Sequence, residues 1–290
     1  MRVEVARNER REWSVRIWRQ HAPAKADAPE HEAPPPLNLV DIHSHVVWGV
    51  DDGPSSNEAS LAMLRSASEH GTALIVATPH SNSEYSYHQE LIDARVLQLS
   101  AITDGKPQLF RGCDFHLNFE NLDSLLLQPP RYTINGKQYL LVECPPTYVG
   151  SHTESVLQRL LDARIVPIVT HPERNVVLQR KLSRVEAWVD HGCLVQVTAL
   201  SITGSFGRPA QRAAERLLAR GLVHVAASDA HDPEHRHPRL DQAYNAVRSR
   251  YGPSTAQLLF RDNPLSIVEG RPLTGGRQLP EDRPALWWLV

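Results

Sequence analysis

The stretch that most constrains this chain lies near residue 40. An apolar run from Leu37 to Val40, continued by Ile42, carries Asp41-Ile42-His43-Ser44-His45 and is followed by the turn Asp51-Asp52-Gly53-Pro54. Alternate residues of a strand share a face, so a buried strand here presents His43 and His45 together at its C-terminal end. Two neutral imidazoles side by side suit a divalent metal, although His-x-His also occurs as two ordinary histidines at a strand end. Five later strand-like runs also finish in or just before His, Asp or Glu, and this recurrence turns a weak motif into a pattern.

From Leu37 onward the chain repeats a short apolar strand, a polar turn and an amphipathic helix, the rhythm of an α/β architecture with a largely parallel sheet. Ser56 or Asn57 caps a helix to about His70, stopped by Gly71. Ala73 to Ala77 is a strand ending at Thr78-Pro79-His80. A helix over His88 to Thr103 precedes a strand over Gln108 to Gly112 that closes on Cys113-Asp114. Tyr139 to Val142 ends at Glu143, where Pro145-Pro146 forbids continuation. A helix from Thr153 to Ala163 leads to Ile165 to Thr170 and its terminus His171-Pro172-Glu173-Arg174. A helix near Ser183 to His191 leads to Leu194 to Thr198, the one strand with no evident ligand at its end. A helix across Pro209 to Arg220 precedes Leu222 to Ala227, which ends at Ser228-Asp229-Ala230-His231, and two more helices follow Leu240. Seven strands separated by helices predict a closed parallel barrel, whose C-terminal loops converge on one point.

The 290 residues suffice for one large domain, and the formal charge of −2 gives no overall case for nucleic acid. Residues 1–36 stand apart as an arginine-rich extension and a stiff linker ending in Pro34-Pro35-Pro36; 37–270 form the barrel domain and 271–290 a tail. Trp13, Val15 and Ile17 alternate, so the extension either adds a strand, docks on the body or stays disordered. Cys113, Cys144 and Cys193 are odd in number and widely spaced, which points to reduced packing residues. No run reaches the ~20 apolar residues of a membrane span and no signal core opens the chain, so a cytoplasmic protein is expected.

The strand-end residues able to bind metal are His43, His45, Asp52, His80, Asp114, Glu143, His171, Asp229 and His231. They are too many for one ion, and their imidazole and carboxylate mixture without thiolate suits Mn²⁺, Fe or Zn²⁺. A multinuclear centre that activates water is predicted. Gly204-Ser205-Phe206-Gly207 lacks the ending and spacing of a phosphate loop and reads as a loop near the mouth. His88, His116, His152, His191, His224, His235 and His237 read one by one as packing or surface residues, with His116 and Tyr148 near enough to ligand positions to line the pocket.

Asp-Ile-His-Ser-His, Val-Asp-Asp-Gly-Pro, Thr-Pro-His, Gly-Cys-Asp, Leu-Val-Glu, Thr-His-Pro-Glu-Arg and Ala-Ser-Asp-Ala-His, in that order, resemble the motifs of the polymerase and histidinol phosphatase (PHP) superfamily. The match is closest to bacterial metal-dependent tyrosine-protein phosphatases of capsule and exopolysaccharide synthesis, and it covers about Val40 to Val268. The resemblance implies a distorted (β/α)7 barrel with three metal ions at the C-terminal face of the strands, Mn²⁺ foremost and Fe or Zn²⁺ as alternatives. It implies that His43, His45 and Asp229 hold one metal, that Asp114 bridges to a second held by Glu143 and His171, and that Asp52, His80 and His231 hold a third. Arg174 and Arg236 would contact the phosphate, a role suited to guanidinium forks. The implied reaction is hydrolysis of phosphotyrosine by a metal-bound hydroxide, with the tail of a polysaccharide-synthesis tyrosine kinase as the protein partner. A small phosphomonoester such as histidinol phosphate is the alternative substrate, and a non-catalytic docking module the alternative class. The family usually has Glu where this chain has Asp114, so the shorter carboxylate requires a closer strand end, which the small Gly112-Cys113 context allows.

Overall fold

The computed structural model describes residues 3–7, 13–17, 37–117, 119–145 and 147–273. Two compact units divide the chain, Met1–Pro36 and Leu37–Val290. In the first, strands β1 (Val3–Arg7) and β2 (Trp13–Ile17) pair antiparallel with each other, with Val5 opposite Val15. The alternating stretch at Trp13 therefore forms half of a hairpin. The residues from Lys25 to Pro36 and the tail beyond Leu273 lie outside the described residues.

The second unit is a mixed α/β fold. It begins with β3 (Leu39–Ser44), α1 (Asn57–Glu69), β4 (Thr72–Ala77), β5 (His80–Ser81), α2 (Gln89–Ile102), β6 (Gln108–Arg111) and β7 (Asp114–His116). Helices α3 (Phe119–Leu127) and α4 (Pro129–Tyr132) lead to β8 (Tyr139–Glu143), α5 (Thr153–Asp162) and β9 (Val166–Thr170). Then come α6 (Val176–Arg180), α7 (Leu182–Asp190), β10 (Leu194–Thr198), α8 (Ala199–Thr203), α9 (Arg208–Ala219) and β11 (Val225–Ala227). Helices α10 (Asp241–Tyr251), α11 (Pro253–Gln257) and α12 (Asn263–Glu269) finish it, with a π-turn over Leu258–Asp262 before α12. Ser56 caps α1 by accepting from the Ala59 amide, as its position predicts. Helices α3, α4, α6 and α8 were not expected; apart from α3 they are of five residues or fewer, too short for a helical period to show in sequence.

All strand pairs of this unit are parallel, and they form two sheets, in the orders β3-β4-β6 and β11-β10-β9-β8-β7-β5. Two of the seven expected strands are broken, and each contributes one piece to either sheet. The first break falls at Thr78-Pro79, where proline has no N–H for a ladder. The second falls at Gly112-Cys113. A Cβ on Gly112 would lie 3.0 Å from Val76 Cγ1 and 3.1 Å from Thr78 Cγ2, so a side chain here would press on the neighbouring strand, and glycine fits the close approach. At the other border a single parallel bridge, Ser44 with Ala230, joins the end of β3 to the chain beyond β11. There the Asp229 amide donates to the His43 carbonyl and the His45 amide to the Ala230 carbonyl, both at 2.8 Å. One continuous closed ladder is not formed among the described residues.

Two apolar layers follow from the strand alternation. Val40, Ile42, Leu74, Val76, Leu141, Ile168 and Val225 share one cluster with Ile267 and Val268 of α12. Leu39, Ile75, Leu140, Val169, Val195 and Ala226 pack instead with helix residues such as Met63, Leu64, Leu157, Trp188 and Leu217. Helix α12 is fixed at the N-terminal end of β8, where Tyr139 Oη donates to the Arg271 carbonyl at 2.8 Å and Asn135 Nδ2 to the Val268 carbonyl at 3.0 Å. Cys113, Cys144 and Cys193 are buried and form no disulfide.

Candidate metal centre

The register of β3 shifts between Asp41 and Ser44, an irregularity of the kind that re-aims side chains beside functional sites. His43 and His45 end with ring centroids 5.5 Å apart. Each ring is held from behind. His43 Nδ1 lies 3.1 Å from Gln196 Oε1 and donates to it, since an amide oxygen only accepts. His45 Nδ1 lies 2.7 Å from Asp51 Oδ2, which accepts in the same way. Both tautomers are thereby fixed with Nε2 bare, and the two Nε2 atoms face each other at 3.4 Å. Asp229 Oδ1 lies 3.5 Å from His43 Nε2 and 3.7 Å from His45 Nε2.

The other strand ends complete the cluster. His80 places Nδ1 3.1 Å from Asp114 Oδ2 and Nε2 3.5 Å from Asp52 Oδ1. His231 donates through Nδ1 to the Asp229 carbonyl, leaving Nε2 3.3 Å from Asp52 Oδ1. His171 Nε2 lies 3.5 Å from Glu143 Oε1, and His43 Nε2 3.7 Å from Asp114 Oδ2. His171 and Asp229 both take left-handed backbone angles, with φ of 31° and 52°. Non-glycine residues adopt these at a cost of about 1–3 kcal/mol, borne here where the chain turns side chains into a site.

Ligand atoms within 4.8 Å of one another fall into four overlapping groups: His43, His45 and Asp229; His43, Asp114 and His171; His45, Asp52, His80 and His231; and His80, Asp114, His116 and Glu143. All nine sequence candidates are thus brought together, and His116 joins them. Both oxygens of Asp114, His80 Nδ1, His116 Nε2, Glu143 Oε2 and His231 Nε2 are buried, and their close ion pairs are only with one another, His43 or Asp52, none of them in hydrogen-bond geometry. Buried polar atoms of this kind demand a partner, and bare imidazole nitrogens turned toward carboxylates are the donor set of a divalent cation. The residues fit such ions.

The charges around them respond to their neighbours. Burial would raise the pKa of Asp229, yet His43, His171, Arg236 and Arg174 hold it well below the carboxylate range. Burial likewise opposes ionisation of Asp114, but His43 and His80 keep it ionised. Burial drives His45 well below its ordinary value, helped by His231 and His80, and drives His171 down to about 4. His80 departs the other way: burial lowers it, but Asp114 and Glu143 raise it to about 9.

Arg174 and Arg236 both contact Asp229 Oδ2, the latter at 2.8 Å. This carboxylate turns one oxygen to the imidazoles and the other to two guanidinium groups. The Arg174 guanidinium sits 4.5 Å over the Phe206 ring, so the Gly204 to Gly207 loop does reach the site. A cavity of about 390 Å³ opens beside it, lined by Asp52, Pro54, Ser55, His231 and Arg236 among others. A larger one, about 700 Å³ and lined by Asp93, Phe110, Arg111 and Arg131, contains none of the cluster.

Residues 39–269 match the family described as capsular polysaccharide synthesis, CpsB/CapC. The chain belongs to the CpsB/CapC family. It is 32% identical over 241 residues to the tyrosine-protein phosphatase CpsB of Streptococcus pneumoniae, covering 79% of this chain and 98% of that protein. It is 30% identical over 211 residues to the putative tyrosine-protein phosphatase CapC of Staphylococcus aureus, covering 71% and 82%. Among solved structures, one described with YwqE from Bacillus subtilis and CpsB from S. pneumoniae as unique metal-dependent tyrosine phosphatases superposes with a TM-score of 0.77 at 26% identity. That match covers 84% of this chain and all of the other.

Within this CpsB/CapC chain, the residues that hold the cluster were less visible than the cluster itself. Asp51 has a buried side chain and accepts from His45, the His80 amide and the Gly53 amide. Gln196 lies on β10, the strand that lacks a ligand at its end, and orients His43 while also accepting from the His171 amide. Asp41 accepts from the His43 amide and from the amide and hydroxyl of Ser228, and burial raises its pKa to about 6 against those bonds. Glu173 is fully buried and accepts from the Thr198 amide at 2.9 Å. Only Asp51 carried a signal, its place beside Asp52 at the end of the strand-and-turn motif. Tyr148 is exposed, 59% accessible, and is not among the clustered side chains.

Proposed function

We propose that this chain is a metal-dependent protein-tyrosine phosphatase that hydrolyses phosphotyrosine. The observation that carries the reading is the convergence of His43, His45, Asp52, His80, Asp114, Glu143, His171, Asp229 and His231 on one buried cluster with Arg174 and Arg236 at its rim. The relatives' names supply the substrate class, and a family of capsular polysaccharide synthesis supplies the context. A bacterial tyrosine kinase tail is the protein partner in this reading, and the cytoplasm is where this chain meets it. No described helix is long and apolar enough to cross a membrane. The two sheets and the bridge at Ser44 are read as a distorted seven-stranded barrel of the PHP type.

As the resemblance implies, His43, His45 and Asp229 would hold one ion, Glu143 and His171 a second that would share Asp114 with the first, and Asp52, His80 and His231 a third. Mn²⁺ is the first choice, with Fe and Zn²⁺ as alternatives. When bound, such ions acidify water and neutralise charge on the leaving oxygen. The protein's own part is positioning. Asp51 and Gln196 hold His45 and His43 with Nε2 toward the centre. Arg174 and Arg236 offer charged donors to the equatorial phosphate oxygens, and Phe206 beneath Arg174 keeps that guanidinium from wandering. The thiols are read as packing residues: burial holds Cys113 well above its ordinary pKa and Cys144 at about 12, so neither is a ready nucleophile.

The test is turnover of a phosphotyrosine peptide against histidinol phosphate, with exhaustive chelation, readdition of Mn²⁺ and iodoacetamide as further arms. Expected are preference for the peptide, loss on chelation, recovery with Mn²⁺ and indifference to alkylation. Full activity after demetallation overturns the metal-dependent mechanism. Preference for histidinol phosphate overturns the substrate, and inactivity toward both under every metal condition leaves a docking module.

A further inference from the structure

Asp114 and His116 lie two residues apart on β7, and the sheet register gives each a neighbour from the candidate centre. His80 stands opposite Asp114 on β5, and Glu143 stands opposite His116 on β8. Side chains paired across adjacent strands lie close enough to act on one ion. His116 Nε2 accordingly meets Glu143 Oε2, and the His80 and His116 rings meet edge to face with centroids 5.1 Å apart. Both His116 Nε2 and Glu143 Oε2 are buried, and apart from this mutual contact neither has a partner in hydrogen-bond geometry; Asp114 Oδ2 likewise meets only His80 Nδ1 and His43 Nε2.

We infer that His116 is an additional metal-binding side chain, a nitrogen donor grouped with His80, Asp114 and Glu143. The inference rests on the proposed metal centre and extends it to a residue outside the implied ligand set. His116 stands two residues from Asp114 on the same short strand, and its ligand atom and those of His80, Asp114 and Glu143 lie within 4.8 Å of one another.

The experiment uses the full-length protein, stripped of metal and titrated with Mn²⁺ and with Zn²⁺ against a chelating dye. The wild type, His116→Ala and His116→Gln are compared, with circular dichroism to verify folding. His116→Ala is expected to lose one metal equivalent or to bind its weakest equivalent at least about tenfold more weakly. His116→Gln keeps an N–H donor toward Glu143, so a mere hydrogen-bonding role would preserve binding, whereas a ligand role would not. Unchanged stoichiometry and affinity in His116→Ala, or full binding by His116→Gln, overturns the inference while leaving the phosphatase reading intact. A wild type that binds neither ion removes the proposed centre itself.

Discussion

Asp51→Asn isolates the orientation of one imidazole from the ligand set. Asp51 accepts three hydrogen bonds: from His45 Nδ1 at 2.7 Å, the His80 amide at 3.0 Å and the Gly53 amide at 3.0 Å. Asparagine offers one accepting oxygen and one donating nitrogen, so one of these donors must face an N–H group. If the amide nitrogen faces His45, the ring shifts its proton to Nε2 and can no longer present a lone pair to the centre. If it faces Gly53 instead, the turn that carries Asp52 opens. Losing a bond to a charged group in a buried place costs about 1.5–3 kcal/mol, which is roughly ten- to a hundredfold in an equilibrium constant. The assay is competitive Mn²⁺ binding at equilibrium, followed by kcat/KM for a phosphotyrosine peptide at saturating metal. The metal affinity should fall by that factor while kcat/KM largely recovers once the site is filled. Unaltered affinity in a folded Asp51→Asn protein would refute the idea that Asp51 sets the His45 tautomer.

Arg174→Ala should leave metal content unchanged and lower kcat/KM by about 2–4 kcal/mol of transition-state stabilisation, with Arg174→Lys recovering only part, as steady-state kinetics would reveal. Gly53→Ala places a Cβ 2.6 Å from the His45 carbonyl oxygen, so the turn must move; weaker Mn²⁺ binding with near-normal secondary structure is expected from titration and circular dichroism. His224 is buried, accepts from the Val195 amide through Nδ1, and is held by burial at about 4 against an ordinary 6.5. Between those values the unfolded chain binds a proton that the folded chain refuses, so the contribution present above pH 6.5 is lost as pH falls to about 4. The loss is about 3 kcal/mol, and urea unfolding of His224→Gln should show a correspondingly flatter acid limb than the wild type.

The sequence made the chemistry more legible than the architecture around it. His43, Glu143, His171 and Asp229 announced themselves because each follows an apolar run and ends it, and strand ends on one side of a parallel sheet must meet. The strand breaks at Pro79 and Gly112 were not evident, because a run read in isolation looks alike whether it serves one sheet or two. Gln196 escaped notice for a related reason: it lies within its strand, and nothing local separates an amide that orients a histidine from one that merely packs. His116 was set aside because its meaning depends on the pairing of β7 with β8, which is a long-range fact.

The bridge between Ser44 and Ala230 has a consequence for how the molecule comes into being. Asp41 meets Ser228 across 187 residues of chain, and the last two side chains of the cluster, Asp229 and His231, are made only after nearly every other strand. Closure across such a span is entropically slow compared with local helix formation. A nascent chain emerging from synthesis therefore carries an incomplete set of donors until its final strand arrives, so it cannot act on phosphate before the whole domain has been assembled.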